Sequence, residues 1–289
     1  MSSDLELGVL YGTSIAYGVG LGVWFDAEVG VEDAGVAMIA PILLGVAAPV
    51  GVYFLDDPEM PPGMPATIAA GMAIGAGEGL GIASYQFVTA DEEDAWGFRG
   101  LARSVSLGST LGAVGGYLLA YYEEPSPNAA AFVSSGVVWG SAIGSLIGYG
   151  ASSGDHEYGT ANDQASLGGL IGFNVGLAAT AALSTVYEPS WDTMAWMWAG
   201  AGIGAAAGLP MFLFYLGDST PPTRRGFAYM GGGATIGLAL AAVLTSDASD
   251  FGEAPHKPHY AQNERLEVDY IGPMVVPGGG GVELMGRLF

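Results

Sequence analysis

The sequence predicts an all-α integral membrane protein, with eight transmembrane helices in four tandem antiparallel hairpins and a short C-terminal β-hairpin or extended strap. Three observations predict this fold. Hydrophobic residues make up 51% of the 289 residues and charged residues only 12%, about half the charged share of a soluble domain. The apolar residues fall into eight long segments. Within these segments glycine recurs at every fourth residue and in a longer repeat of about 64 residues.

The eight apolar segments are each 19 to 25 residues long, the length that a helix needs to cross a bilayer. Only Glu78 and Arg103 are charged within them, so they lack the polar stripe of a soluble amphipathic helix. Aromatic residues such as Trp24 and Tyr187 gather at segment ends, as is typical of membrane–water boundaries. The segments lie at 7–25, 34–55, 64–88, 101–122, 129–150, 166–187, 194–216 and 227–245.

Strands of a membrane barrel are the alternative to helices. In the first segment Val9, Tyr11 and Ile15 belong to a run of large residues at odd positions, which is typical of a barrel strand. Barrel strands, however, are only about 9 to 11 residues long, and these segments contain no turn signal at half length. A four-residue glycine period also has no role in a strand, whose side chains alternate with a period of two. We therefore favour helices.

Signals for helix starts and bends support this division. Prolines precede the third segment, Ser126-Pro127 precedes the fifth, and Asp192 precedes the seventh. The second segment contains Pro41 and Pro49, and a proline inside a helix removes one backbone hydrogen bond. A kink is therefore predicted in the second segment.

Glycine rows predict close packing of helix against helix. Four-residue spacing places Gly136, Gly140, Gly144 and Gly148 on one helical face. In a helix exposed to water each glycine costs about 1 kcal/mol relative to alanine, whereas in a membrane such a face lets a second backbone approach closely. The residues predicted to pack in this way are Gly8, Gly12, Gly45, Gly71, Gly75, Gly108, Gly112, Gly136, Gly140, Gly144, Gly148, Gly168, Gly172, Gly200, Gly204 and Gly237.

The segments also form an internal repeat. The odd-numbered segments align on glycines 8, 71, 136 and 200, at spacings of 63, 65 and 64 residues. The even-numbered segments align on glycines 45, 108, 172 and 237, at spacings of 63, 64 and 65 residues. Two series with the same period predict four tandem hairpins. The repeats span about 1–63, 64–127, 128–190 and 191–246, and the tail 247–289 follows.

The tail is polar and ends in two short apolar runs around Pro277 and glycines 278–281. This pattern predicts a β-hairpin or an extended strap. Pro273 and Pro277 limit any strand there to pairing at an edge.

Charge and cysteine content exclude several classes of partner and site. The formal charge is −22, from 29 acidic and 7 basic residues, which argues against binding to nucleic acid or to an anionic lipid surface. The chain has no cysteine, which excludes disulfides, thiolate metal sites and cysteine nucleophiles. Membrane lipid remains the expected surrounding.

The tandem glycine-zipper hairpins, together with the Pro277-Gly-Gly-Gly-Gly run and the ending Gly286-Arg-Leu-Phe289, carry a resemblance. In these features the chain resembles a group of uncharacterised glycine-rich envelope membrane proteins of Gram-negative bacteria. The resemblance covers most of the chain and is compositional. It implies a location in the cell envelope and no known activity or functional residue. Between the two envelope membranes, we favour the outer over the inner.

Glu78 is the first candidate for chemistry, because an acidic residue at membrane depth is costly and is often functional. It could bind a cation, relay protons or line a pore, or it could be a protonated or paired structural carboxyl. Arg103 in the next segment is a possible partner. Asn174 could hydrogen-bond across a helix interface. So could a set of hydroxyl residues, namely Ser104, Ser106, Ser109, Thr110, Ser134, Ser135, Ser141 and Ser145.

No cofactor, metal site or catalytic group is predicted. His256 and His259 in the tail and His156 in a loop offer too few ligands for a metal ion. No serine lies in a nucleophile elbow with a paired histidine and aspartate. Glycines 231–233 lack the Lys-Ser/Thr of a phosphate loop.

Two hypotheses about function follow. In the first, the protein is a structural or scaffolding membrane subunit of an envelope assembly, either a homo-oligomer or a larger complex, because small-residue faces exceed the needs of one bundle. In the second, it is an oligomeric pore or a cation-preferring channel lined by Glu78 and the serines. A transporter built from repeats would require a discontinuous helix, and the segment with Pro41 and Pro49 is the place for one.

Overall fold

The structure is a computed structural model. It describes residues 3–56, 59–91, 93–152, 158–215, 224–247, 250, 266–276 and 279–288. By contacts the chain divides into two units, Met1–Gly252 and Glu253–Phe289. The first unit is helical throughout its described regular elements, which confirms helices in place of barrel strands.

Eight α-helices occupy the predicted apolar segments and extend them by a few residues at most ends. α3 begins at the predicted residue, Met64. The helices are α1 Ser3–Val29, α2 Ile39–Leu55, α3 Met64–Thr89, α4 Gly97–Glu123, α5 Pro127–Ala151, α6 Tyr158–Leu183, α7 Trp191–Gly208 and α8 Arg225–Thr245. A 3₁₀ turn, Val36–Met38, precedes α2.

The helix ends follow local chemistry. Before α5, the Ser126 hydroxyl accepts a hydrogen bond from the Ala129 N–H at 3.0 Å, which satisfies a backbone donor that has no partner within the helix. Ser190 does the same for Thr193 before α7, at 3.2 Å. Gly63 precedes α3 with a φ of 88°, in the left-handed region that glycine tolerates best.

The seventh segment differs from its prediction. The α-helix ends at Gly208, and the chain continues as a 3₁₀ helix, Leu209–Tyr215. Pro210 explains the change, because proline has no backbone N–H to donate to the carbonyl four residues before it. By contrast, α2 remains one α-helix from Ile39 to Leu55 with Pro49 inside it. The discontinuous helix that a repeat transporter requires is therefore absent from this described segment.

Each helix packs most extensively on its neighbour in sequence, in the pairs α1–α2, α3–α4, α5–α6 and α7–α8. Further contacts join α3 to α1, α5 and α6, and join α5 to α8. Two hydrophobic clusters fill the remaining space. One includes Leu10, Val52 and Met72, and the other includes Phe132 and Met194.

Seven helical spans are long and apolar enough to cross a membrane, counted among the described residues. They are Asp4–Val29, Val36–Leu55, Met64–Thr89, Pro127–Ala151, Asp163–Leu183, Trp191–Phe214 and Arg225–Thr245. Of the eight predicted transmembrane helices, α4 falls outside this group. Large apolar side chains are exposed along most helices, up to 79% for Leu244. These properties indicate an integral membrane protein.

The second unit contains two strands, β1 Leu266–Val276 and β2 Gly279–Leu288. They pair antiparallel, from Leu266 opposite Leu288 to Val276 opposite Gly279. The pairing shifts between Val268 and Tyr270, which marks a β-bulge or similar irregularity.

Candidate functional site

Paired helices approach each other backbone to backbone at glycines. Between α3 and α4, a Cβ added at Gly71 would overlap the carbonyl of Gly112, and one added at Gly75 would overlap the carbonyl of Gly108. In the same way, a Cβ added at Gly112 would overlap the carbonyl of Gly71, and one added at Gly108 would overlap the carbonyl of Gly75. Only a hydrogen atom fits at these positions, so any residue larger than glycine would force the two helices further apart.

The same reciprocal contact recurs in the third and fourth hairpins. Between α5 and α6, Gly140 meets Gly172 and Gly144 meets Gly168. Gly148 meets the backbone of Gln164, and Gly136 meets the side chain of Thr180. Between α7 and α8 the pairs are Gly200 with Gly237 and Gly204 with Gly233.

The first hairpin uses different glycines from those predicted. Gly18 approaches the carbonyl of Leu44, and Gly22 approaches the backbone of Pro41. Neither was predicted. Glycines in α1 fall into two four-residue rows, one through Gly8 and Gly12 and one through Gly18 and Gly22, and spacing alone does not show which row faces α2. Gly45 contacts the side chain of Val19 rather than backbone at close range.

The other row of α1 makes no close contact with another helix among the described residues. Apart from the neighbouring backbone of α1 itself, no atom of the described residues lies within 4 Å of a Cβ built on Gly8 or Gly12. Both residues are exposed, as is Ala16 one turn further. We call Gly8, Gly12 and Ala16 the bare α1 face. These two glycines therefore make no helix contact inside the described hairpins, unlike the predicted glycines of the other three.

An apolar groove borders this face. Its lining comes from α1 and α2 and includes Ile15, Val19, Gly45 and Pro49, and its volume is about 340 Å³. The lining is almost wholly apolar. The bare α1 face and this groove together form a continuous apolar surface on the first hairpin, because Ile15 and Val19 share the helix face of Gly8 and Gly12.

Glu78 and Asn174 meet between α3 and α6. The Asn174 Nδ2 atom donates to Glu78 Oε1 and Oε2, both at 3.1 Å, and to its own helix at Leu170 O, at 3.0 Å. Glu78 is half-buried and Asn174 is exposed. The structure thus brings together two of the three residues predicted for a pore or ion site.

The contact between α3 and α6 places this pair. A Cβ at Gly77 would meet the ring of Phe173 at 2.9 Å, and one at Gly81 would meet Leu170 at 3.1 Å. Side chains of α6 therefore fill the space above two glycines of α3 that flank Glu78. This proximity brings the Asn174 amide within hydrogen-bond distance of the carboxyl.

Arg103 lies elsewhere, which corrects its predicted pairing with Glu78. Its guanidinium binds Glu28 of α1, with Nη2 and Nε each 2.7 Å from Glu28 Oε1. The Trp24 indole N–H donates to the same oxygen at 2.9 Å. Arg103 lies two turns into α4, and the fold places that end of α4 beside the end of α1. It therefore forms part of an interhelical ion pair near a helix end.

Several hydroxyl residues do connect helices. Thr110 shares a hydrogen bond of 2.9 Å with Tyr17 of α1, and Ser106 donates to the Gly20 carbonyl at 3.3 Å. Ser135 accepts from the Trp198 indole at 3.2 Å. Ser134 donates instead within its own helix, to the Ala130 carbonyl.

Carboxylates bind the starts of three odd-numbered helices, a feature that the sequence reasoning missed. Glu6 Oε2 accepts from the Gly63 N–H before α3 at 2.7 Å, and Glu188 accepts from the Ser126 hydroxyl before α5 at 2.8 Å. At α7, Asp250 accepts from the Ser190 N–H and the Thr193 hydroxyl, both at 3.1 Å. Negative charge is favourable at the positive end of a helix. Each contact joins the start of one helix to a carboxylate at least 57 residues away in the sequence.

The Asp250 contact also affects a neighbouring tyrosine. Burial, and secondarily the charge of Asp250, raise the pKa of Tyr187 above its ordinary value of 10.0. The Tyr187 ring packs edge-on against Phe132, with ring centroids 5.7 Å apart.

Among the described residues, no group of three or more acidic or histidine side chains is placed to hold a metal ion. The three histidines considered from the sequence, His156, His256 and His259, lie outside the described residues.

No family model, curated protein or solved structure matches this chain.

Proposed function

We propose that this protein is a structural, scaffolding subunit of a membrane assembly in the bacterial cell envelope, and that copies of it pack together through their glycine-rich helices. The observation that carries the proposal is the bare α1 face. In the other three hairpins the predicted glycine rows meet a second helix. In α1 the equivalent row has no partner in the part of the chain that the structure describes, and a row of this kind favours close helix contact in lipid.

The neighbouring groove supports a protein occupant. Its walls are almost entirely apolar and it continues from the bare α1 face. A helix of a second copy that lay along Gly8 and Gly12 would reach the groove with its side chains. Small-residue faces allow backbone approach, and an adjacent groove accepts larger side chains, so the two features are complementary parts of one helix-packing surface.

The remaining surface is consistent with a structural role. The described residues contain no metal-ligand group, and the cavity beside the first helix is apolar. Large apolar residues remain exposed on every hairpin. Such surface suits contact with lipid and with neighbouring copies.

The test is the mass of the full-length particle in lipid nanodiscs or mild detergent. We expect a particle larger than the 29.3 kDa monomer, and we expect the double variant Gly8→Leu, Gly12→Leu to reduce the mass of this particle. Both substitutions enter space that no other described helix occupies, so the helix content should be unchanged. Gly202→Leu is the matched control, because Gly202 of α7 also has nothing within 4 Å.

A monomeric wild-type particle would contradict scaffolding by self-association. An unchanged particle mass in the Gly8, Gly12 double variant would contradict the use of the bare α1 face. Cell fractionation tests the proposed location, for which we favour the outer over the inner envelope membrane.

A pore or cation-preferring channel is the second candidate. The hydrogen-bonded Glu78–Asn174 pair favours it, because polar groups at mid-span are rare unless they have a function. Conductance of the purified protein in planar bilayers separates the two proposals. Cation-selective currents that Glu78→Gln abolishes would support the channel, and electrical silence of an oligomeric particle would support the scaffold.

A further inference from the structure

The Glu78–Asn174 pair lies at the middle of two spans. Glu78 is residue 15 of the 26-residue span Met64–Thr89, and Asn174 is residue 12 of the 21-residue span Asp163–Leu183. Both side chains are therefore near the centre of the hydrocarbon layer when their helices cross a bilayer.

The pair also borders the outer surface of the helices. Asn174 is exposed, and its exposed neighbours on α6 are apolar, with Ile171 at 55% and Val175 at 61%. On α3, Leu80 and Ile82 are exposed as well. A polar group in lipid is costly unless it is hydrogen-bonded, and an ionisable one at this depth usually faces protein or water. The outer side of the pair therefore requires a polar partner.

The pair presents only hydrogen-bond acceptors to such a partner. Asn174 Nδ2 donates to both carboxyl oxygens of Glu78 and to Leu170 O. All three atoms are acceptors, so they identify the amide nitrogen and use both of its N–H bonds. Among the described residues, Asn174 Oδ1 accepts no hydrogen bond and the carboxyl accepts only from this amide. Three oxygen atoms therefore retain acceptor capacity, with no donor beside them.

The described helices of the chain supply no positive charge at this depth. Their arginines are Arg99 and Arg103 near the start of α4 and Arg224 and Arg225 at the start of α8. Exposed hydroxyls are also occupied, since Thr235 of α8 donates to the Gly231 carbonyl of its own helix at 2.9 Å. The complementary group for the pair therefore comes from a different protein.

We propose that a transmembrane helix of a different membrane protein docks on the α3–α6 seam and places an arginine at mid-span against Glu78 and Asn174. A guanidinium carries five N–H donors and no acceptor, and its planar fork matches the two oxygens of a carboxylate. Charged groups within a membrane are typically paired in this way. The inference deepens the proposed scaffolding function and rests on it, because it identifies the kind of protein that the scaffold holds.

The surroundings of the pair suit a helix better than a bare cation. Ile171, Asn174 and Val175 share one face of α6 by their spacing of three and four residues. Their apolar members lie on either side of the amide and can pack against the side chains of an incoming helix. A bound cation instead requires several oxygen atoms directed at one point, and no group of three acidic or histidine side chains is so placed among the described residues.

Disulfide cross-linking to a synthetic helix tests the contact, because the native chain contains no cysteine. The probe is a Leu-Ala peptide of about 23 residues with a central arginine, uncharged tryptophan-flanked ends, and a cysteine one helical turn from the arginine. Ile171→Cys places a thiol on the proposed face. Ile236→Cys is the matched control, since Ile236 is also a mid-span isoleucine, 62% exposed, on α8.

In full-length protein in vesicles of neutral lipid, we expect the peptide to cross-link Ile171→Cys about tenfold faster than a peptide with leucine in place of the arginine. This factor is the expected effect of hydrogen bonds between charged groups. The two peptides should cross-link Ile236→Cys at equal rates. In the Ile171→Cys background, Glu78→Gln should remove the advantage of the arginine, because the charge is lost. Glu28→Gln, which alters a carboxylate at a helix end, should not.

A third peptide, with its arginine near one end, controls for attraction to the net charge of −22. It should cross-link Ile171→Cys no faster than the leucine peptide. This comparison uses unaltered Glu78 and Asn174, so it tests the contact even where Glu78→Gln disturbs the fold. Equal rates for the central and the terminal arginine would overturn the inference.

Other occupants of the seam give different results. Without peptide, faster disulfide formation between two copies at Ile171→Cys than at Ile236→Cys would show that a second copy covers the pair, which would overturn the inference. Cation-selective currents that Glu78→Gln abolishes, in a protein that does not cross-link the arginine peptide, would overturn it in favour of ion binding.

The inference and the scaffolding proposal fail separately. An oligomeric particle that cross-links the arginine and leucine peptides at equal rates would overturn the arginine contact and leave self-association intact. A particle that remains a monomer but cross-links the central-arginine peptide faster would overturn self-association and leave the arginine contact intact.

Discussion

Gly71 of α3 and Gly112 of α4 face each other with backbone against backbone, and a side chain on either would overlap the carbonyl of the other. Three residues further along α4, Gly115 has nothing within 4 Å. The same residue type therefore has opposite roles on two faces of one helix, which permits a matched comparison.

We predict that Gly112→Ala destabilises the second hairpin by about 1 to 3 kcal/mol, because the added methyl forces the helices apart. Gly115→Ala should be neutral or stabilising, by up to about 1 kcal/mol, because alanine favours the helix and enters open space. Unfolding by denaturing detergent, followed by circular dichroism, measures both. Equal effects of the two substitutions would contradict the assigned packing.

Removal of the Asp250 carboxylate should weaken the start of α7. Asp250 is only 3% exposed and accepts from Ser190 and Thr193. We expect Asp250→Ala to cost about 2 to 3 kcal/mol, because buried donors lose a charged acceptor. Asp192→Ala is the control. Asp192 is exposed in the first turn of α7, and it should cost only about 0.3 to 1 kcal/mol through the helix dipole. A thermal unfolding series compares the two variants.

A double-mutant cycle distinguishes the partner of Arg103. We expect Arg103→Gln and Glu28→Gln to couple by about 0.2 to 1 kcal/mol, the usual range for an exposed ion pair. Arg103→Gln and Glu78→Gln should be additive within about 0.5 kcal/mol, because the two residues share no contact. Coupling of Arg103 with Glu78, measured from unfolding free energies, would restore the pairing first expected from the sequence.

Alkaline pH should destabilise the fold through Tyr187. Its pKa is raised in the folded state, so above pH 10 the unfolded chain loses this proton more readily than the folded chain does. The contribution of Tyr187 to folding stability is fully present while the pH is below the pKa of this tyrosine in the unfolded chain. It is lost as the pH rises through the higher pKa of Tyr187 in the folded chain. Tyr187→Phe should therefore show a smaller loss of thermal stability between neutral pH and pH 11. An unchanged pH dependence in Tyr187→Phe would contradict this assignment.

The sequence was sufficient to locate the helices, because each apolar segment is bounded by acidic residues, prolines or capping residues. The start of α3 at Met64 and the capping of α5 by Ser126 follow directly from such signals. Segment length and apolarity are local properties of the sequence, and they are sufficient to locate the helices.

Contacts between helices were less predictable. The partner of Arg103 depends on which helix ends lie together, and the choice between the two glycine rows of α1 depends on the rotation of that helix about its axis. Neither is encoded in spacing along one segment. The 3₁₀ helix after Gly208 was missed for a different reason, since Pro210 was read as part of a continuous apolar run.

The predominance of contacts between consecutive helices affects how the chain can be made. Each hairpin closes over a separation of a few tens of residues, so its partner helix is synthesised soon after it. One hairpin can therefore form in the membrane before the next has left the ribosome. Loss of a single late hairpin should then leave the earlier ones able to insert.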